Sequence, residues 1–176
     1  MPTAIYRIFL AIALLLPMLA HAGDAEDFVA ANPVQQAKLL ETWAAQPDPA
    51  RIELLNALQQ GALTVDGQAK TLRLNNRLRG LIDTAMASHQ LLAADAKIRL
   101  TAAQQLQKSA KPAQLKFLDQ QLAGEKDDSV HAALSLALAN LQLVDTDPAV
   151  RLAAVRMLGE TGDPLAGTRL EGLLEP

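Results

Sequence analysis

The most informative stretch of the chain is DPAVRLAAVRMLGETGDPLAGTRLEGLL, which covers residues 147–174. The same pattern occurs 52 residues earlier, at residues 95–122, and the two copies align without a gap. A helix-start signal and an apolar face that recur together are typical of helical-repeat proteins, whose units bury their apolar sides against their neighbours. Such an array predicts a binding surface rather than a reaction centre. The identical positions are Asp95 and Asp147, Arg99 and Arg151, Leu100 and Leu152, Ala102 and Ala154, Leu106 and Leu158, Pro112 and Pro164, Leu118 and Leu170, and Leu122 and Leu174.

The composition favours helices through most of the chain. Half of the 176 residues are hydrophobic but only 3% are aromatic, so the core must consist mainly of leucine and alanine, which are strong helix formers. We therefore predict an all-α fold, a HEAT-like α-solenoid of antiparallel helix pairs. One exception lies between Ala62 and Leu74. There apolar and polar residues alternate on either side of the turn Asp66-Gly67, which predicts a small β-hairpin.

The first 22 residues have the features of a secretory signal peptide. Arg7 precedes an apolar run from Ile8 to Ala20, which is shorter than the roughly 20 residues of a membrane-spanning helix. We predict cleavage after Ala22 and a periplasmic location, and an uncleaved membrane anchor is the alternative. The chain has no cysteine, which excludes a lipoprotein and disulfide bonds.

The charge of the chain gives little support for nucleic acid or anionic membranes as partners. The net charge of the whole chain is −3, and it becomes −4 when Arg7 is removed with the signal peptide. No block of like charge stands out, so attraction to phosphate backbones is weak. The partners that we predict are proteins.

Four segments follow from these patterns: the signal peptide at residues 1–22, an N-terminal helical pair at 23–61, the hairpin insertion at 62–75 and the helical repeats at 76–176. In the helical pair, a polar lead-in is expected to reach Asn32, which can cap a helix that begins with Pro33. The second helix of the pair starts after the turn at residues 46–49 and ends near Gly61. The predicted buried residues of the pair are Val34, Ala37, Leu40, Trp43, Ala44, Ile52, Leu55 and Leu58.

A further helix is expected from Asn75 or Asn76, followed by a bridging segment at residues 88–94. Asp127 lies only 20 residues before Asp147, so the helix predicted from Asp127 to Leu143 lacks a partner helix. Either it stands alone in the stack, or the pairing shifts phase at Asp145. The remaining predictions are buried positions Leu78, Leu81, Ile82, Ala85 and Met86, repeat helices at residues 95–108, 111–123, 147–158 and 163–174, and a connection that contains Gly159 and Gly162.

Aspartates begin the repeat helices. Asp147 and Asp163 each precede a proline, and their carboxylates can accept hydrogen bonds from the free N–H groups of the first turn. The arginine four residues after the aspartate can pair with it or reach the neighbouring unit, so we predict a structural ladder along the stack. Its members are Asp95 and Arg99, Asp127 and His131, and Asp147 and Arg151, with His131 in the place of the repeat arginine.

Residues that would support catalysis or metal binding are few. The four serines belong to no nucleophile motif, and His89 and His131 lack the partner ligands of a metal site. The carboxylates of Glu125, Asp127 and Asp128 could form a divalent-cation site, but helix capping accounts for them. We therefore predict no enzymatic activity, no cofactor and no metal.

The densest group of basic residues outside the repeats is LRLNNRLRG, residues 72–80. One interpretation is the solvated, asparagine-capped start of a helix, and the other is a contact for a partner or an anion. The candidate contact residues are Arg73, Asn75, Asn76, Arg77 and Arg79.

Two resemblances can now be named. DPAVRLAAVRMLGETGDP, residues 147–164, resembles the HEAT and phycobilisome-lyase class of helical repeats, whose units begin with this Asp-Pro-x-Val-Arg pattern. LRLNNRLRG followed by LIDTAMA, together with the leader and the repeats, resembles the N-terminal extracytoplasmic extension of bacterial urea ABC transporter permeases of the branched-chain amino-acid permease type. This resemblance implies a domain that contributes to urea uptake through protein contacts. It also implies partners, namely a periplasmic urea-binding protein, a second permease and ATPase subunits.

Such permeases place their channel helices after the extension. After the leader this chain has no apolar run long enough to span a bilayer, so it would reach the membrane only through a missing C-terminal part. We expect either a truncated piece of an inner-membrane permease or a free periplasmic relative, and the uncapped repeat end favours truncation. The functional alternatives are a stand-alone periplasmic HEAT-repeat scaffold or binding protein, and a repeat-containing lyase or hydrolase.

Overall fold

The computed structural model describes residues 22–160, which are mostly helical and include one two-stranded antiparallel sheet. The prediction of a helical chain with one small hairpin is confirmed. The predicted leader up to His21, the predicted cap Asp163 and the last predicted helix, residues 163–174, lie outside the described residues. The elements are α1 Ala22–Ala30, α2 Pro33–Ala45, α3 Ile52–Gln59, β1 Ala62–Val65, β2 Gln68–Thr71, α4 Asn76–Gln90, α5 Ala96–Ser109, α6 Leu115–Gly124, α7 Asp128–Gln142 and α8 Pro148–Glu160, with 3-10 turns at Pro49–Arg51 and Pro112–Gln114.

Helix α1 occupies the segment for which a polar lead-in was predicted, so that prediction is wrong. Phe28 explains the difference, because its side chain is fully buried and its ring stacks on Trp43 with 5.9 Å between centroids. The guanidinium of Arg51 lies 5.8 Å from the centroid of the Trp43 ring and donates from Nε to Asp24 Oδ2 at 2.7 Å. One aromatic side chain and one ion pair thus fix a helix whose other residues are small or acidic, apart from Val29.

Local signals position helix α2. Asn32 Oδ1 accepts from the backbone N–H groups of Val34 and Gln35, and the Gln35 side chain accepts from the Asn32 N–H at 3.0 Å, which forms a capping box. Pro33 is the first helical residue, as predicted. Val34 was predicted to be buried but is 74% exposed, because the buried part of α2 begins one turn later, at Ala37.

Helices α2 and α3 were predicted to form a pair. In the structure the main helical neighbour of each is α4, so the two helices pack on α4 more than on each other. Between α3 and α4 the hairpin pairs Ala62 with Thr71 and Val65 with Gln68. Asp66 and Gly67 have φ values of 51° and 72°, as a tight hairpin turn requires.

Helix α4 extends three residues into the predicted bridging segment, to Gln90. The hydroxyl of Ser88 donates to Thr84 O at 3.2 Å, and Nδ1 of His89 lies 2.7 Å from Ala85 O. These bonds to the previous turn satisfy polar side chains inside a buried helix. The five positions predicted to be buried earlier in α4, from Leu78 to Met86, are all buried.

The elements show that the sequence repeat begins earlier than Asp95. Asn76, the first residue of α4, is 52 positions before Asp128, the first residue of α7, and α5 has the same offset from α8. We call residues 75–126 the first unit and the residues from 127 onward the second unit. Equivalent positions are buried in both units: Leu78 and Val130, Ile82 and Leu134, Ala85 and Ala137, Met86 and Leu138, Ala87 and Ala139, Leu91 and Leu143, Ala102 and Ala154, and Leu106 and Leu158.

This correspondence answers the question of the helix at residues 127–143. Helix α7 is the counterpart of α4, since Asp127 caps α7 where Asn75 caps α4. It does not stand alone, because it packs against α5, α6 and α8. Helix α8 in turn runs to Glu160, so Gly159 lies within it and not in the predicted connection.

Two large apolar clusters form the core, and α4 contributes to both. Its residues up to Met86 pack with α1, α2, α3 and the hairpin, and from Ala87 onward they pack with α5, α6 and α7. Within residues 22–160, no helix combines the length and apolar character needed to cross a bilayer.

Candidate functional site

LRLNNRLRG leads from the end of the hairpin into the first turn of α4. The five candidate contact residues in it, Arg73, Asn75, Asn76, Arg77 and Arg79, are all exposed. Asn75 also has a structural role, because its Oδ1 accepts from the Leu78 N–H at 2.9 Å and caps α4. The asparagine-capped helix start and the exposed basic group are therefore both present.

The fold separates the arginines instead of gathering them. Arg77 lines a cleft beside Glu41, whereas Arg79 lines a different depression with Gln59 and Asp83. Residues two apart in an α-helix point in nearly opposite directions, because one turn takes about 3.6 residues. The predicted contact group is thus divided between two faces, and Arg77 is the member that shares a depression with two lysines.

We call the depression that Arg77 lines the basic cleft. It lies between α2, α4 and the end of α5 and has a volume of about 430 Å³. A neighbouring pocket of about 280 Å³ shares Glu41, Leu81, Thr84 and Lys111 with it and continues along the 3-10 turn at residues 112–114. The residues of the basic cleft are Glu41, Asn76, Arg77, Gly80, Leu81, Thr84, Lys108, Ser109 and Lys111.

Positive charge dominates the basic cleft. Arg77 Nη2 lies 4.0 Å from Glu41 Oε1, and the two side chains are 70% and 43% exposed, so this contact is weak. Lys108 and Lys111 are exposed, and in the described part of the chain neither ammonium group has a carboxylate within 4 Å. Three cations therefore face one carboxylate.

Gln114 fixes one wall of the basic cleft. Its side chain is almost completely buried; Oε1 accepts from the Lys111 N–H at 2.8 Å, and Nε2 donates to Ser88 Oγ at 2.6 Å. This network holds the 3-10 turn against α4. Gln114, Lys108 and Lys111 were not among the predicted site residues, and the signal that could have found them is the set of positions at which the two sequence copies differ.

The predicted ladder of aspartate and arginine pairs does not form in the first unit. Arg99 pairs with Glu125, with Nε and Nη2 each 2.8 Å from a carboxylate oxygen. Its Nη1 donates to Ala93 O and Ala94 O at 2.9 and 2.8 Å. Asp95 instead caps α5, accepting from the Lys97 N–H at 2.8 Å. The aspartate side chain is short and caps the helix that it begins. The arginine side chain is long and bonds to the loop before that helix.

Arg151 repeats this arrangement in the second unit, so the prediction that it pairs with Asp147 is also wrong. Its Nη1 donates to Asp145 O at 2.7 Å and to Thr146 O at 3.0 Å, at the same sequence distances as in Arg99. Asp147 caps α8 through the Ala149 N–H at 2.8 Å. A repeated arginine thus ties each connecting loop to the helix that follows it.

His131 does not replace the repeat arginine. Its imidazole is exposed and has no hydrogen bond among residues 22–160. His131 and Arg99 are not at equivalent positions of the repeat, because Asp127 corresponds to Asn75 and not to Asp95. Asp127 Oδ1 caps α7, accepting from Ser129 N and Val130 N at 3.0 and 3.1 Å.

Among residues 22–160, Glu125 is the carboxylate whose pKa is shifted most. The hydrogen bonds from Arg99 lower its pKa from 4.5 to about 2, against the opposing effect of burial, and the N–H groups of Lys126 and Asp127 add to the lowering. The Glu125 side chain is only 6% exposed. No set of three or more side chains suited to a metal ion occurs within residues 22–160.

His89 is a buried histidine with an incomplete set of partners. Nδ1 lies against Ala85 O, whereas Nε2 is buried and has no hydrogen bond to any of residues 22–160. Burial lowers the pKa of His89 below 6.5; the bond to Ala85 and the charge of Asp48 raise it, and the charge of Arg51 lowers it further. The neighbouring Ser88 hydroxyl bonds to Thr84 and Gln114, so the two residues do not form a nucleophile–base pair.

Comparison with protein-family models, curated proteins and solved structures found no match to this chain. The functional proposal therefore rests on the residues of the chain and on their arrangement.

Proposed function

We propose that this chain is an extracytoplasmic protein-interaction domain, a HEAT-like α-solenoid that serves as the extension of a urea-type ABC transporter permease. The observation that carries the proposal is the offset of 52 residues between α4–α5 and α7–α8, with the same positions buried in each unit. Units of this kind bury their apolar faces against one another and leave an extended surface for partners.

The link to urea transport is supported by LRLNNRLRG and the LIDTAMA that follows it. Arg77 in this segment is exposed and lines the basic cleft, where a partner can reach it. In this proposal the domain contributes to urea uptake by contacting transporter subunits or the periplasmic urea-binding protein.

The chemistry of the site favours binding over reaction. Two buried polar residues nearby are Ser88 and Gln114, which lines the neighbouring pocket; they are bonded to each other and hold the fold. Besides Glu41, the charged groups at the surface of the cleft are two lysines and an arginine, which can form ion pairs with a partner's carboxylates. A charged, open surface of this kind steers association and sets specificity.

A quantitative pull-down tests the proposal. The tagged full chain, expressed in the periplasm, should retain the urea-binding protein or another subunit of the transporter well above an unrelated helical protein on the same resin. Retention of none of them would overturn the proposal. Capture of a different periplasmic protein instead would support the stand-alone scaffold.

A second test uses the gene. Continuation of the reading frame beyond codon 176 into several apolar segments of about 20 residues would support the permease extension. A stop codon there followed by genes unrelated to transport would support the scaffold.

A further inference from the structure

The two units differ in charge at positions that are 52 residues apart. Their buried residues match, so the fold constrains the core positions and leaves the surface positions free to differ. Three basic residues and one neutral residue of the first unit that line the cleft correspond to acidic or neutral residues 52 positions later. The pairs are Asn76 and Asp128, Arg77 and Ser129, Lys108 and Glu160, and Lys111 and Asp163, the last being known from sequence alone.

Equivalent positions in the two units show whether the helical fold itself requires the basic residues of the cleft. Helix α7 forms with Ser129 where α4 has Arg77, and α8 forms with Glu160 where α5 has Lys108. The positive charge of the basic cleft is therefore not a requirement of the helical unit. It is a property of this one surface of the first unit.

We propose that the basic cleft binds a short acidic peptide segment of a protein partner, with carboxylates on Arg77, Lys108 and Lys111. The inference rests on the proposed interaction role and names the surface and the chemistry of the partner. Charge complementarity identifies the occupant, because three cations face the single carboxylate of Glu41.

The shape of the site favours a peptide over a small anion. The basic cleft and the neighbouring pocket share four lining residues, so they lie side by side on the same surface. Ala44, Leu81 and Ala113 give the pocket an apolar wall. A water molecule takes up about 30 Å³ in the liquid, so a small anion would fill only part of the 430 Å³ cleft. An extended segment with acidic and apolar side chains fits both parts.

For two of the three cations, side-chain hydrogen bonds fix the backbone that carries them. Gln114 Oε1 fixes the backbone of Lys111, and Asn75 caps the turn of α4 that carries Arg77. A surface held in its binding conformation loses less entropy when the partner binds. The basic cleft is thus organised before a ligand arrives.

A peptide titration tests the inference directly. The probe is a fluorescein-labelled decapeptide of alternating glutamate and leucine, titrated with the full chain and followed by fluorescence anisotropy. We expect saturable binding that weakens as salt is added. The double variant Lys108→Glu/Lys111→Glu should bind at least about tenfold more weakly, a loss of about 1.4 kcal/mol.

The matched control is Lys97→Glu/Lys116→Glu, which changes the net charge equally at exposed positions outside the cleft. It should stay within about twofold of the wild type if the site is local. Equal weakening by both variants would overturn the inference in favour of a general charge effect, as would the absence of binding. Displacement of the peptide by inorganic phosphate at similar concentration would assign the cleft to small anions instead.

The same variants distinguish this inference from the proposed function. The wild type and Lys108→Glu/Lys111→Glu could retain transporter subunits equally. That result would overturn the proposal for the basic cleft but would still support the proposed interaction role. Peptide binding that depends on the two lysines, without retention of any transporter protein, would support the cleft and overturn the urea-permease proposal. Thermal unfolding followed by circular dichroism shows that each variant is folded.

Discussion

Arg99 and Glu125 form an ion pair with two hydrogen bonds, although 26 residues separate them in the sequence. The same guanidinium bonds to two carbonyl groups of the loop before α5, and Glu125 follows the end of α6. One pair of side chains therefore joins both ends of the α5–α6 segment. Paired geometry of this kind is the strong form of a charge-assisted hydrogen bond.

Replacing Glu125 with glutamine should destabilise the chain and flatten its response to acid. The variant loses charged hydrogen bonds at a side chain that is 6% exposed, which costs about 1–3 kcal/mol of unfolding free energy at neutral pH. Because folding lowers the pKa of Glu125 from 4.5 to about 2, this stabilisation is complete above pH 4.5 and is lost as the pH falls toward 2. Urea unfolding at several pH values measures both effects.

The control for this prediction is Glu53→Gln, an exposed glutamate in the first turn of α3. It should change the free energy of unfolding by no more than about 0.5 kcal/mol. If Glu125→Gln behaved like this control, the ion pair would have no measurable role in stability.

His89 should make the chain less stable in mildly acidic solution. Its pKa is lowered mainly by burial, so below pH 6.5 the unfolded chain binds a proton that the folded chain does not. Stability is therefore complete above pH 6.5 and declines below it. Asp48 and Arg51 are the charged groups that face His89, and their effects on its pKa oppose each other.

The second unit supplies the test variant for His89, because Leu141 stands at the equivalent position. His89→Leu should reduce the change in the urea midpoint between pH 7.5 and pH 5.5, since the buried titrating group is gone. His131→Gln, a change at an exposed histidine, should leave that dependence intact. The same pH dependence in His89→Leu as in the wild type would rule out His89 as its source.

Phe28 should be one of the side chains on which the N-terminal cluster depends. It is fully buried and stacks on Trp43, so Phe28→Ala should cost about 3–5 kcal/mol of unfolding free energy. Val34→Ala, in the next helix but 74% exposed, should cost no more than about 0.5 kcal/mol. Chemical denaturation compares the two, and similar small costs would mean that α1 does not pack on the core.

Local sequence signals predicted where helices begin, whereas features that depend on tertiary contacts were not predicted. Asn32, Asp95 and Asp147 cap helices where the sequence placed them, because a cap is formed by a few consecutive residues. Helix α1 was missed because its packing comes from Phe28 meeting Trp43, two residues that no periodic pattern joins.

The starting position of the repeat and the basic cleft were not predicted from the sequence, and the reasons differ. Asn75 and Asp127 are equivalent caps but different residues, and Leu78 and Val130 are equivalent core positions but different residues. Few positions before Asp95 are identical in the two units, so the match by identity was recognised only from Asp95 onward. The cleft brings residues of α2 against the turn after α5, a contact between distant parts of the chain that the sequence pattern does not encode.

Gln114 and Ser88 should be energetically coupled, because their side chains share a buried hydrogen bond of 2.6 Å. Gln114→Ala and Ser88→Ala should each destabilise the chain, since each leaves a buried polar atom without that partner, at a cost of about 1–3 kcal/mol. The double variant should lose less than the sum, with a coupling energy of about 0.5–3 kcal/mol in a double-mutant cycle from urea unfolding. Combining Gln114→Ala with the distant Glu53→Gln should give additive losses. Additivity in the Ser88 cycle as well would show that this bond does not hold the 3-10 turn against α4.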